Sequence, residues 1–212
     1  MELVGMLDSP YVRRVAVSLG LMGLPFQLRP LSVFSTFDQF RAINPVVKAP
    51  TLITDGGAVL MDSSLILDYA EQLPGKRRSL MPADLDERVR VLRVTGFALA
   101  ACEKAVQLVY ERKLRPADKQ HAPWLQRVQT QLHAACEALE AELVAAPLPS
   151  AEETMDQAGV SAAVAWLFIQ KALQPGDVPA ERLPGLAAHS ARAEALPAFV
   201  SAPFDSSGWK PL

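Results

Sequence analysis

Asn44-Pro45-Val46-Val47-Lys48-Ala49-Pro50-Thr51-Leu52, followed one hairpin later by Met61-Asp62-Ser63-Ser64, is the stretch whose reading decides the fold. The chain turns at Pro50 into a short strand. Residues 51–54 and 58–61 are apolar-rich runs flanking Asp55-Gly56-Gly57, a hairpin signal. The second strand delivers an acidic residue and a serine to a helix expected over residues 63–72, with Leu65, Ile66 and Tyr69 on one face. Such an arrangement offers a free backbone edge at Ala49 close to an anion-binding helix start at Ser63. A small peptide with an extended middle and a charged end fits it.

Upstream, residues 2–7 form an apolar run that ends at Asp8-Ser9-Pro10. Serine before proline before an apolar-periodic segment marks a helix start, with Ser9 as N-cap and Pro10 at the first helical position. The helix presents Val12, Val15, Ala16 and Leu19 on one face, with Arg13 and Arg14 partly turned out, and stops near Gly23-Leu24-Pro25. Residues 26–31 read as a second strand, so a parallel pair with a right-handed crossover is expected. A short helix over residues 38–43 completes the order β-α-β-α-β-β-α, an α/β thioredoxin-like layout assigned to residues 1–75.

Residues 76–83, which contain Lys76-Arg77-Arg78-Ser79, read as a linker. Beyond them the pattern is helical throughout. Residues 85–112 and 123–144 carry long helical periodicity, and Pro116 and Pro147-Leu148-Pro149 break it. Thr154-x-x-Gln157 fits a capping box opening a helix over residues 159–173 that is apolar nearly all round, hence central. A last helix over residues 186–196 ends at Pro197. The second domain is therefore expected to be an all-α helical bundle over residues 84–212.

The chain has 212 residues, half of them hydrophobic, and a formal charge of -2. That describes a folded globular protein and gives no electrostatic reason to expect nucleic acid or an acidic membrane surface. No apolar run reaches the roughly 20 residues that span a bilayer, and the N-terminus lacks a basic region followed by a long apolar run. Cys102 and Cys136 are far apart and read as small core residues. A soluble, reducing, cytoplasmic setting is the simplest reading. His121, His133 and His189 show no metal-ligand spacing, so no metal site is assigned.

In order, Ser9-Pro10-Tyr11-Val12-Arg13-Arg14-Val15, the 44–50 stretch and Asp62-Ser63 resemble the cytosolic glutathione transferases, in a bacterial-type form with a serine-proline-aromatic motif. Leu196-Pro197-Ala198-Phe199 with Ser201-Ala202-Pro203 is similar to that family's last helix and tail. The resemblance implies a cis Pro50, with the backbone of Ala49 pairing with the cysteinyl part of glutathione. It implies that Ser63 binds the γ-glutamyl carboxylate, that Asp62 orients the γ-glutamyl end, and that Lys48 meets the glycyl side. Ser9 is then the catalytic residue, donating a hydrogen bond to the glutathione sulfur, and Tyr11, Tyr110 and Trp166 are candidates for the electrophile pocket. Glutathione is implied as co-substrate, a small hydrophobic electrophile as its partner, a homodimer as the assembly, and detoxification as the role.

Two departures stand out. Relatives with this motif often carry a lysine for the glycyl carboxylate where the nearest residue here is Thr36, and an aspartate where Gln157 stands. Each candidate also has a structural reading. Ser9 and Asp62-Ser63 can be helix caps alone, Lys48 a solvated loop lysine, Trp166 a core residue, and Arg13 and Arg14 ion-pair or domain-interface residues. Four functions are open: a glutathione transferase, a glutathione-dependent isomerase or dehalogenase using the same thiolate, a non-catalytic relative that binds glutathione or a partner protein, and a purely structural interaction module that binds no glutathione. Serine at position 9 argues against thiol–disulfide exchange, which needs a protein sulfur.

Overall fold

The computed structural model describes residues 1–205. It divides into two compact units, Met1–Met81 together with the chain from Pro197, and Pro82–Leu196. In the first, β1 (Glu2–Val4), α1 (Pro10–Met22), β2 (Gln27–Arg29), α2 (Phe37–Ile43), β3 (Thr51–Ile53), β4 (Val59–Met61) and α3 (Ser63–Gln72) follow in the expected order. The sheet order is β2-β1-β3-β4. β1 and β2 are parallel, and β1–β3 and β3–β4 are antiparallel, with Leu3 opposite both Leu28 and Leu52. A parallel pair needs a crossover, which α1 supplies. Leu3, Val12, Val15, Leu19, Phe40, Leu52 and Ile66 are fully buried and form the core beneath the site.

Local chemistry explains where α1 begins and ends. Ser9 is its N-cap with Pro10 inside the first turn, and Gly23 at φ 69° accepts the left-handed conformation that closes it. Two details of the helical faces differ from expectation. Leu65 is 65% exposed, and Ile66, Leu67 and Ala70 form the buried face of α3. Arg13 and Arg14 are not turned out: both are buried. Arg13 donates from Nε to the Ala202 carbonyl at 2.7 Å and lies over the Phe199 ring. Both of these contacts come from the far end of the chain.

That end is α8 (Pro197–Val200), which packs on α1. Pro197 opens this helix, because proline is tolerated at a first helical turn. The stretch from Pro197 therefore belongs with the first unit, not with the helical domain assigned to residues 84–212; residues 206–212 of that assignment lie outside the described residues.

The second unit contains α4 (Leu85–Lys113), α5 (Ala122–Ala145), α6 (Gln157–Ala172) and α7 (Pro184–Glu194). α4 packs on α5 and α6, and α6 on α7. The long central α6 is buried along nearly its whole length, as its apolar sequence predicts. Its cap differs from expectation. Asp156, not Thr154, is the N-cap, accepting the Gly159 N–H at 2.8 Å, whereas the Thr154 hydroxyl turns back to the Ala151 carbonyl. A carboxylate there answers both the unpaired N–H and the helix dipole. The last helix of this unit ends at Glu194, before Pro197. Its start is held by Glu140, whose carboxylate oxygens accept the N–H groups of Gly185 and Leu186 at 2.7 Å. Among the described residues, no helix is long and apolar enough to cross a membrane.

Candidate functional site

The loop between β1 and α1 places Ser9 half-buried at the head of α1, with its Oγ accepting from Val12 N at 3.4 Å. A hydroxyl that accepts a cap hydrogen bond keeps its own O–H for another acceptor. Gly5, at φ 143°, makes the approach to this turn possible. A Cβ on Gly5 would stand 2.6 Å from Val12 Cγ2 and 3.3 Å from Ala49 Cβ. Ala49 is thereby brought against the first turn of α1.

The Ala49–Pro50 peptide bond is cis. A small polar clip holds the loop in shape: Asn44 donates from Nδ2 to Thr51 Oγ1 at 2.9 Å, and Thr51 donates on to the Lys48 carbonyl at 2.8 Å. The Lys48 side chain is exposed beside it. Thr36, at the position expected for a carboxylate-binding lysine, is turned inward on its own loop, accepting from Ser32 N and donating to Ser32 O.

Asp62 is the N-cap of α3, with φ 72° and ψ 128°, a region that non-glycine residues seldom occupy. Its carboxylate accepts the Ser64 N–H at 2.9 Å and so holds the turn. Local strain of order 1–3 kcal/mol persists where the surroundings over-determine it, and it clusters at binding sites. Ser63, at the first helical position, is buried. The first N–H groups of a helix lack intrahelical partners and favour an anion. Sequence reading missed one member of this group. Arg14 reaches from α1 and donates from Nη1 to Ser63 Oγ at 3.1 Å and Ser64 Oγ at 3.2 Å. The available signal was that Val17 and Leu21 extend the apolar surface of α1 beyond its Val12, Val15, Ala16 and Leu19 face, which leaves little solvated surface for two arginines.

Beside Ser9, burial raises the Asp8 carboxyl above its ordinary value, and the nearby charge of Asp205 adds to the effect. Tyr11 is half-buried in the first turn of α1. In the helical unit Tyr110 is 41% exposed on α4 and Trp166 is buried in α6. Cys102 and Cys136 are both free and buried, and burial pushes the Cys136 thiol up to about 12, away from reactivity. Among the described residues, no group of three or more His, Cys, Asp or Glu is placed to hold a metal.

Residues 3–78 match the model of the glutathione S-transferase N-terminal domain. A solved glutathione transferase family member from Pseudomonas fluorescens Pf-5, with bound S-(propanoic acid)-glutathione, is 30% identical, with a TM-score of 0.79 over 95% of this chain and 98% of that one. The chain belongs to the glutathione S-transferase family. A glutathione transferase from Methylobacterium radiotolerans, in complex with glutathione sulfonate, is 25% identical, with a TM-score of 0.85 over the whole of this chain and 98% of that one. The Escherichia coli K12 protein YibF, described as an uncharacterized GST-like protein, is 27% identical over 83% of this chain and 86% of its own length. The glutathione transferase fold accounts for both units: a thioredoxin-like first unit followed by a helical one.

Proposed function

We propose that this protein is a glutathione transferase that ionises the glutathione thiol and delivers it to a small hydrophobic electrophile. The carrying observation is that one unit presents two helix starts bearing serines, Ser9 on α1 and Ser63 on α3, and that a cis-proline loop sets Ala49 against the first turn of α1. Ala49 pairs its backbone with the cysteinyl residue. Ser63 takes the γ-glutamyl carboxylate, Asp62 the amine beside it, and Lys48 lies toward the glycyl end. The glutathione derivatives held by relatives 25–30% identical support glutathione as the co-substrate.

Ser9 is the catalytic residue in this reading. A free thiol has a pKa near 8.5, so most of it is protonated at neutral pH. Lowering that value by about two units takes roughly 2.7 kcal/mol. One charge-assisted hydrogen bond of about 1.5–3 kcal/mol, with a fraction of the helix dipole, covers it. The thiol proton goes to solvent. The sulfur lone pair then forms the carbon–sulfur bond as a leaving group departs with its electrons, or adds to an activated alkene that takes up a proton. Tyr11, half-buried in the first turn of α1, is our candidate on this unit for the electrophile's surroundings.

A homodimer in the cytoplasm completes the reading. Each unit carries exposed apolar side chains that an interface would cover: Val59, Met61 and Leu65 on the first, and Leu85, Val89 and Leu92 along α4 on the second. The two free thiols suit a reducing compartment. Calorimetric titration with reduced glutathione, beside a turnover assay with a reactive chloronitrobenzene, tests the proposal. Micromolar to low-millimolar binding with turnover supports it. Binding without turnover favours the non-catalytic relative, and absence of binding removes the site.

A further inference from the structure

We propose that Arg14 is a positioning residue that fixes the Ser63 hydroxyl as a donor, making the start of α3 selective for a carboxylate; the proposal rests on the glutathione reading above. The guanidinium is 5% exposed and Ser63 is 2% exposed, so their contact is made out of water. A guanidinium has donors and no acceptor, so each hydroxyl it touches must accept. Nη1 touches both Ser63 Oγ and Ser64 Oγ, at 3.1 and 3.2 Å. With a lone pair of Ser63 Oγ taken from behind, its O–H is left to donate forward, and hydrogen bonds in a chain strengthen one another.

The ligand therefore meets donors from three directions: the backbone N–H groups at the start of α3, the Ser63 hydroxyl, and the arginine charge behind it. A carboxylate satisfies all of them. A carboxamide offers an NH2 group to the same donors and leaves it unmatched. A helix start by itself favours an anion by only about two- to fivefold, whereas a charge-assisted hydrogen bond is worth roughly ten- to hundredfold. The size of the discrimination thus separates a bare helix start from one that adds the Ser63 hydroxyl, and the part lost in an Arg14 variant reads what the guanidinium contributes.

The test titrates the full-length protein with reduced glutathione and with the analogue whose γ-glutamyl α-carboxylate is a carboxamide. The wild type is expected to prefer glutathione by about 30-fold or more; a preference under about fivefold overturns the proposal without any variant. Arg14→Gln is expected to cut the preference to about fivefold or less and to raise KM for glutathione, while kcat at saturating glutathione falls less than about threefold. Equal weakening of both ligands, or an unchanged preference, identifies Arg14 as packing alone and overturns the proposal. Ser64→Ala lies at an exposed position and serves if Arg14→Gln does not fold. Removing one of the two hydroxyls that hold the guanidinium is expected to lower the preference about two- to threefold, and no change counts against the proposal. A wild type that binds neither ligand overturns the glutathione reading itself; a wild type that binds both alike overturns only the role of Arg14.

Discussion

Asn44 and Thr51 are joined by a hydrogen bond from Nδ2 to Oγ1 at 2.9 Å, and both side chains are buried. They stand seven positions apart in sequence, and the loop carrying Lys48, Ala49 and Pro50 lies between. Thr51→Val keeps the shape of the side chain, removes both hydrogen bonds of the hydroxyl, and leaves the Asn44 amide without this acceptor. The expected loss is about 1–3 kcal/mol of stability, with weaker glutathione binding because Ala49 is less firmly held. Urea unfolding and calorimetry check the two effects separately.

Ser9→Ala removes the hydroxyl proposed to face the sulfur. Turnover is expected to fall by about 100-fold, the order found when a single donor to a developing anion is removed. Glutathione affinity is expected to stay within about threefold, since the two ends of the peptide are held elsewhere. The acidic limb of the kcat/KM profile should move up toward the value of a free thiol. Loss of the cap costs about 1 kcal/mol of stability, which thermal unfolding reads independently.

Gly5→Ala tests the close approach between the β1–α1 loop and the loop that carries Ala49. The new Cβ meets Val12 Cγ2 at 2.6 Å, and φ at this position is 143°, which an L side chain rarely adopts. Val12 is β-branched and inside a helix, so it has little rotamer freedom to yield. A loss of about 2–4 kcal/mol is expected, combining overpacking with backbone strain. Guanidinium unfolding measures it.

Asp8→Asn is expected to stabilise the protein at neutral pH. Burial raises the Asp8 carboxyl in the folded state, so the folded state holds its proton more tightly than the unfolded state does. The favourable contribution of the neutral acid is complete below the unfolded value of 3.8 and is lost as pH rises through the raised folded value. Asparagine removes the buried charge. The difference in Tm between variant and wild type should therefore be positive near pH 7 and shrink toward zero as the pH falls to about 4.

His189 works in the opposite direction. Burial lowers its imidazole from 6.5, and the ring nitrogen Nε2 lies 3.0 Å from the Gly159 carbonyl, so Nε2 carries the proton of the neutral ring. The unfolded chain takes up a second proton below about pH 6.5 while the folded chain resists it, so stability is lost as the pH falls through that range. Urea midpoints at pH 7.5 and 5.5 should separate in the wild type. They should separate less in His189→Gln.

Features made by neighbours in sequence were legible from it. Asp55-Gly56-Gly57 and Ser9-Pro10 specify a turn and a helix start by chemistry confined to a few residues, and the structure has both. The α6 cap shows where that method fails: Thr154 and Asp156 are both competent caps two residues apart, and the structure uses Asp156, whose carboxylate accepts the Gly159 N–H. The burial of Arg14 left a trace in the sequence, but its partners were beyond reach for a different reason. Its role depends on hydroxyls 49 and 50 residues away, which no periodicity announces. The Ser9, Asp62 and Ser63 positions could be named because each stands at a helix start that the pattern reveals, whereas side chains for an electrophile carry no such mark.

The contact between Arg13 and the Ala202 carbonyl also bears on the order in which the molecule is made. A ribosome at about 5–20 residues per second needs on the order of ten seconds to synthesise Pro82–Leu196. Throughout that interval the Ala202 carbonyl that accepts from Arg13 has not yet been translated. The hydrogen bond from Arg13 can form only after the ribosome has passed Ala202. The seating of α8 on α1 is therefore a late event of biosynthesis, although α1 is among the first elements to emerge.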